Sequence, residues 1–588
     1  MKKFLLSVLS SAAGVFLAMA LIVIIGIGAA VTAAMSMSSL PAVQPRSVLK
    51  IDLSGLMAER SQGSPLATFG MGDVKSGLED IMLAVKEAAK NPNVSGIYIN
   101  VGALSASPAS LQELRTALLD FRKTGKWIVS YGGTYTQGAY YVCSAANSVV
   151  LNPIGEVEWR GLGGEMMFYK DLLKKIGVEM QVVKVGTYKS AVEPFTSTEM
   201  SPANREQVQR YINDIWATMK GEVSKSRKIS TAMLDTLANR YMALKDAKET
   251  LSSKLVDKLS YEDDALEYVA KLAGEDEADD INFVAPAQLA AIHIDQADNS
   301  DDEVAVYYAS GDIVSGAEEG SMFDEAIVAD DIIPDLNDLA DDDDVKAVVI
   351  RVNSGGGSAY ASEQIWNAVH KLAKKKPVVV SMGDMAASGA YYMSCAARYI
   401  VAQPTTLTGS IGIFGMIPDV SGLMKDKLGI KFDGVKTNTH SDFFSASRPM
   451  NQSELTMLQG YVDRGYALFT SRVAEGRKMT RRQVDHIAQG RVWTGRDALA
   501  IHLVDRLGGL DDAIAIAAKQ AGLKKYSTTH LPAQKQWWET ALDKGLDGYT
   551  NAKMREYLGN LYPAVSLLKN IDKRDRVQAL MPYAPVIK

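Results

Sequence analysis

Ser388 lies in GDMAASGAYY, after an apolar run that reads as a strand and before a small-residue segment that reads as a helix start. A serine hydroxyl is a weak nucleophile at neutral pH and needs a neighbouring base. The sequence has no GxSxG elbow, and its six histidines form no evident pair with an acid. Lys189, in TYKSAVEPF, is a candidate base. Burial disfavours an ammonium and lowers a lysine pKa toward neutrality. Acyl transfer also needs N–H groups aimed at the developing oxyanion. NSGGGS (353–358), at the end of a predicted strand, offers close-approaching backbone, with Gly356 as one candidate donor and Gly389 as the other. Taken singly, each feature has a plainer reading. Ser388 fits a packed turn, Lys189 a surface position and the glycines a tight turn or anion-binding loop. The run lacks the GK[ST] ending of a phosphate-binding loop.

An internal duplication raises these residues above their plainer readings. YGGTYTQGAYYVCSAA (131–146) aligns with MGDMAASGAYYMSCAA (382–397) at an offset of 251 positions. VSGIYINV (94–101) aligns with VKAVVIRV (345–352) without a gap, and Pro153/Pro404 and Gly161/Gly412 keep the spacing. The copies differ in chemical type at a few positions. Gln137 stands where the second copy has Ser388, and Trp159 where it has Ser410, in TGSIG. At the same offset Lys189 falls on His440. Each copy has lost what the other kept, which points to one composite site with its serine in the second repeat and its lysine in the first.

The positioning elements follow from the pattern. Each copy has a β-rich opening (VLKIDLSG, 48–55; VAVYYASG, 304–311), then helices alternating with apolar strands that show no polar alternation. Such strands belong to an α/β fold with buried, largely parallel pairing. The run Asp341–Asp344 reads as a solvated turn rather than a calcium site.

The chain has 588 residues, 47% of them hydrophobic and 22% charged, so it can build several packed cores. A net charge of −6 gives no basic field for nucleic acid, and two cysteines exclude a disulfide scaffold or a Cys-rich metal site. Residues 4–45 carry no charge, and the stretch from Ala12 to Val31 is apolar throughout, long enough to cross a bilayer. Lys2 and Lys3 precede it, which places the N-terminus in the cytoplasm and the remainder outside. A cleaved signal peptide is the alternative, although its apolar core is usually shorter, about 7–15 residues. The expected order is a tip and anchor (1–46), a first repeat (47–296), a second repeat (297–530) and an extension (531–588) that matches nothing in the first copy.

With VGTYKSAVEPF, VNSGGGS, MGDMAASGAYY and TGSIGIFG in that order, the chain resembles the long, duplicated signal peptide peptidase A branch of the membrane-anchored Ser/Lys peptidases. The resemblance implies tandem ClpP/crotonase-like domains behind a transmembrane helix, with Ser388 as nucleophile, Lys189 as general base and Ser410 holding the lysine. It implies a homotetramer on the outer side of a bacterial inner membrane, acting on cleaved signal peptides or other apolar peptides, without metal or cofactor. Ala390 departs from the family, which commonly has a second glycine after the serine. A thioester hydratase or isomerase of crotonase type, and an inactive membrane scaffold, are the competing readings.

Overall fold

A computed structural model of the protein describes residues 42–61, 76–295, 300–316, 326–445, 447–533 and 575–581, with Gly14 and Met554 alone beyond these. Apart from Gly14, the apolar run 12–31, on which the expected membrane anchor rests, lies outside the described residues. Among the described residues no helix is long and apolar enough to cross a membrane.

The first repeat contributes β1 (Ser47–Leu56), β2 (Val94–Ser105), β3 (Trp127–Tyr135), β4 (Ser148–Val157), β5 (Glu179–Val185), β6 (Lys258–Leu259) and β7 (Phe283–Val284). The second opens with β8 (Glu303–Ser310), β9 (Asp312–Val314), β10 (Ala326–Val328), β11 (Val345–Ser354), β12 (Gly356–Ser358) and β13 (Val378–Ala387). It continues with β14 (Tyr399–Ala402), β15 (Leu407–Gly409), β16 (Ile413–Asp419), β17 (Val492–Thr494), β18 (Arg506–Leu507) and β19 (Ser527–Leu531). A last strand, β20 (Val577–Leu580), comes from the C-terminal extension.

The duplication is visible as two sheets with matching strand orders. In the first, β6-β4-β3-β2-β1-β7 are all parallel. In the second, β13, β11 and β8 repeat the order of β3, β2 and β1, with β14 beside β13 as β4 lies beside β3. β11 is buried along nearly its whole length and β2 through its central run Gly96–Ile99, as the lack of alternation in VKAVVIRV and VSGIYINV requires. Helices such as Pro108–Arg122 and Ala359–Lys375 lie on these sheets and fill the cores. The α/β architecture with duplicated, largely parallel sheets expected from the sequence is the one found.

A third sheet joins the halves. Its order is β10-β9-β12-β20-β16-β5, so a strand from the first repeat and one from the C-terminal extension meet strands of the second. β5 pairs antiparallel with β16 over its full length, from Val185 opposite Ile413 to Glu179 opposite Asp419. β20 lies between β12 and β16, antiparallel to both. The segment after β5, which carries Lys189, is thereby delivered into the second repeat.

A buried polar network fixes the repeats against each other. Arg351 on β11 donates to Glu59 and Glu113 of the first repeat, each at 2.7 Å, and to Ser381 at 3.0 Å. Asp384, on the strand leading to Ser388, accepts from the backbone N–H and hydroxyl of Ser110 at 2.8 and 2.9 Å. The first repeat's core also runs on to Met385, Ala387 and Leu407 of the second.

Candidate active site

β13 ends at Ala387, and the helix Gly389–Ser394 begins at the next residue but one. Ser388 is the turn between them, at φ 57° and ψ −114°. A non-glycine residue there costs on the order of 1–3 kcal/mol and persists only where its surroundings enforce it. They do so here: the Ser388 N–H donates to the Gly409 carbonyl at 2.8 Å, and its own carbonyl accepts from Tyr392 N–H, also at 2.8 Å. The side chain projects from a rigid strand–turn–helix corner and is fully buried.

Lys189 reaches this corner from the first repeat. After β5, Gly186 turns the chain at φ 111°, and the Tyr188 N–H donates to the Gln489 carbonyl at 2.8 Å. A Cβ at Gly490 would stand 2.6 Å from the Lys189 Cβ and N, so only glycine lets the two backbones approach this closely. Gln207 braces the same arm, donating to the Tyr188 carbonyl and the Ser190 hydroxyl at 3.0 Å each.

The amine of Lys189 donates to Ser388 Oγ at 2.7 Å, and to both the carbonyl and the hydroxyl of Ser410 at 3.1 Å. Among the described residues no carboxylate pairs with it. Burial therefore acts unopposed and pushes the Lys189 pKa down to about 7, where a large share is the free amine. Ser410 is held at φ 48°, with its N–H donating to the Arg491 carbonyl at 2.7 Å. The three polar side chains named from the sequence come together in one buried cluster that can deprotonate a hydroxyl.

The two candidate oxyanion donors are neighbours. A Cβ at Gly356, which has φ 97°, would lie 2.6 Å from the Gly389 nitrogen. Gly389 opens its helix, so its N–H has no intrahelical acceptor. Gly356 differs from the expectation, because its N–H is engaged by the Ser354 hydroxyl at 3.0 Å. The Ala579 carbonyl oxygen of β20 sits beside both glycines, 2.1 Å from a Cβ placed on Gly356 and 3.0 Å from one placed on Gly389. A peptide carbonyl from the chain's own extension thus stands at the mouth of the corner.

The equivalent place in the first repeat is filled. Gln137 accepts from the Arg160 and Gly161 N–H groups at 3.0 and 2.9 Å, and Trp159 donates to the Leu234 carbonyl at 2.9 Å. His440 does not correspond to Lys189. Gly177 and Gly429 both adopt positive φ at the entry to the two arms, which sets an offset of 252 there and pairs Lys189 with Ser441. A helical turn explains the extra residue. Val178 N–H donates to the Leu173 carbonyl, whereas Ile430 N–H reaches back one residue further, to Met424, past a π turn at Leu423–Lys427.

The family model for peptidase family S49 matches residues 120–276 and 370–524, one segment in each repeat and together more than half of the chain. The chain belongs to peptidase family S49. The chain is a serine protease, as its relatives are. "Protease 4" of Salmonella typhi is 37% identical over 538 residues, covering 88% of this chain and 85% of its own. "Protease 4" of Haemophilus influenzae is 35% identical, over 74% of this chain and 71% of its own. "Serine protease SPPA, chloroplastic" of Arabidopsis thaliana is 29% identical, over 74% of this chain and 64% of its own. The Clp protease family model matches residues 320–407, the stretch that carries Gly356 and Ser388. A ClpP1 mutant of Listeria monocytogenes superposes at a TM-score of 0.23 with 16% identity, over 38% of this chain and 99% of its own.

Several residues of the S49 site escaped the sequence reading. Ser354 and Gly490 gave no signal, since one is a serine inside a glycine run and the other a glycine 301 positions from the lysine it admits. Arg351 and Glu113 sit in segments that read as strand and helix interiors, and only the meeting of the repeats pairs them. No group of His, Cys, Asp or Glu side chains suited to a metal occurs among the described residues.

Proposed function

We propose that this S49 protease is a membrane-anchored endopeptidase that uses Ser388 and Lys189 as a catalytic dyad to degrade remnant signal peptides after their release from preproteins. The observation that carries the dyad is the 2.7 Å hydrogen bond from the Lys189 amine to Ser388 Oγ in a site without a competing carboxylate. Lys189 takes the hydroxyl proton as Ser388 attacks the peptide carbonyl, and returns it to the leaving amine. An acyl-enzyme remains on Ser388, and water activated by the same amine releases it. Ser410 holds the amine toward Ser388. Gly389 N–H faces the oxyanion, and Gly356 N–H joins it when the Ser354 hydroxyl swings away.

The lie of β20 supports an extended peptide as substrate. It pairs on both edges, with β12 and β16, as a bound strand would. Its Leu580 packs with Ala191, Val192 and Phe414, so the positions beside the reacting carbonyl are apolar. That suits the hydrophobic core of a signal peptide. The apolar run 12–31 would anchor the protein in a bacterial inner membrane with both repeats on the outer side, close to such substrates. The family resemblance extends the reading to a homotetramer.

Fluorophosphonate labelling of the full chain tests the dyad, with peptide mapping of the wild type, Ser388→Ala and Lys189→Ala. Label on Ser388 that disappears in the first variant and collapses in the second is the expected result. Label on another serine, or none on the folded wild type between pH 6 and 10, overturns it. Radiolabelled signal peptides in the same preparation test the substrate.

A further inference from the structure

The helix Pro202–Arg227 of the first repeat lies against both halves of the site. Its Gln207 is 2% exposed, and the amide is hydrogen-bonded at both ends. Nε2 donates to the Tyr188 carbonyl and the Ser190 hydroxyl, one on each side of Lys189, at 3.0 Å each. Oε1 accepts from the Val492 N–H at 3.2 Å. Val492 stands opposite Gly409 where β17 pairs with β15. The Gly409 carbonyl holds the Ser388 N–H, and the carbonyl of Arg491, next to Val492, holds the Ser410 N–H. One side chain thus joins the lysine loop of the first repeat to the strand pair that fixes both serines of the second.

The amide is itself held in place. Asn204, on the preceding turn of the helix, accepts from Gln207 Nε2 at 3.1 Å and donates to Glu193 at 2.9 Å. Glu193 follows Lys189 in the same loop and also accepts from the N–H and hydroxyl of Ser201, the residue that caps the helix. Asn204, Gln207 and Glu193 are all buried. At Gln207 a donor must face a carbonyl at one end and an acceptor must face an N–H at the other. A neutral amide supplies both; an ionised carboxylate or a thioether does not.

The duplication carries the same signal. RKIS (227–230) falls on RKMT (477–480) at an offset of 250, which makes Gln452–Arg477, also 26 residues long, the counterpart of this helix. Gln207 then falls on Met457, which is 43% exposed. Asn204 falls on Glu454, which pairs with Arg448 instead. The repeat without the lysine lacks the amide as well, in the pattern that marks Ser388 against Gln137.

We infer that Gln207 is a positioning residue for this protease: its amide fixes the separation between the loop that carries Lys189 and the corner that carries Ser388. The inference rests on Ser388 and Lys189 being the reacting pair. Gln207 acts through the backbone beside them, and a misplacement of about 1 Å between reacting groups costs up to about 100-fold in rate.

Steady-state kinetics on a short apolar peptide, from pH 5 to 10 with the full chain in mild detergent, tests this on Gln207→Met. Arg210 still donates to Asp497 at 2.8 and 3.0 Å, and Arg496 to Thr218 at 2.8 Å, so the helix keeps its seat on the second repeat. The expected result is a kcat lower by about tenfold or more, with KM within about twofold of wild type. The pH midpoint of kcat should also rise, because a loosened loop admits water to the Lys189 amine. The other titratable groups packed around the loop, Lys184, Tyr188, Glu193, Glu206 and Arg491, are the same in both proteins, so the shift reports the lysine. An unchanged kcat, a loss confined to KM, or a lower kcat at an unmoved midpoint overturns the inference; the last would make Gln207 a packing residue. Lys189→Met, measured alongside, separates the two readings. If it keeps wild-type activity the dyad fails, whereas its collapse beside an unaffected Gln207→Met removes the positioning role alone.

Discussion

Lys189 Nζ donates to Ser388 Oγ at 2.7 Å across 199 positions of sequence and from the other repeat, with burial holding its pKa near 7. Only the free amine can accept the hydroxyl proton. Activity should therefore rise with pH through about 7 and level off above it, and kcat/KM measured from pH 5 to 9 checks this. A profile flat over that range contradicts the assignment. The stability sign is also fixed. The folded pKa lies below the ordinary 10.5, so between about pH 7 and 10.5 the unfolded chain binds the extra proton and stability rises with pH. Lys189→Met should lower kcat by about 10²–10⁴-fold and abolish both pH dependences.

Ser410 meets the same amine twice, through its carbonyl and its hydroxyl at 3.1 Å. Ser410→Ala removes one contact and leaves the other, so the amine keeps its place but gains freedom. A single hydrogen bond contributes about 0.5–1.5 kcal/mol net, which corresponds to a loss of roughly 2- to 13-fold in kcat with KM unchanged. Steady-state kinetics on a short peptide distinguishes this from the collapse expected of Lys189→Met. An equally deep loss in the two variants would mean that the hydroxyl takes part in proton transfer.

β20 occupies the cleft where an extended substrate would lie, with the Ala579 carbonyl against Gly356 and Gly389. A site that is open only a tenth of the time or less reacts in proportion to its open fraction. Removal of residues 575–588 should then speed fluorophosphonate labelling of Ser388 about tenfold or more. Thermal unfolding of the shortened chain controls for folding, since Ala579 and Leu580 also pack in the interior. A folded, shortened chain labelled at the wild-type rate would place the substrate path elsewhere.

The meeting of Ser388 with Lys189 was legible in the sequence because duplication supplies an internal comparison. Gln137 against Ser388 and Trp159 against Ser410 marked the second repeat as the one carrying the hydroxyls, and the structure shows both first-repeat residues spent on backbone hydrogen bonds. The strands β2 and β11 were equally legible, since a continuous apolar run has few other homes than a buried parallel sheet. The place of β20 was not. Val577–Leu580 has a strand's composition, but nothing local says that it crosses to the glycine strand more than two hundred positions earlier. The one-residue shift at the second arm was hidden for a different reason: a π turn absorbs an insertion without any change in residue type.

Arg351 carries the last prediction, because it ties the serine-bearing strands to the first repeat. Its guanidinium is buried and donates to Glu59 and Glu113 at 2.7 Å, while Glu113 also accepts from Leu510 N–H at 2.6 Å. Burial raises the Glu59 pKa to about 7 even though Arg351 opposes the shift. Arg351→Met deletes the opposing charge and leaves buried carboxylates unpaired, a change that costs about 3–5 kcal/mol. The deficit must grow with pH. A carboxyl whose folded pKa lies above its unfolded value near 4.5 is held best when protonated, and that contribution is lost as pH rises through the folded pKa. The drop in Tm relative to wild type should therefore be larger at pH 8 than at pH 5, and Glu59→Gln in the same chain should recover part of it. A deficit independent of pH would mean that Arg351 acts through packing and that its charge does not matter.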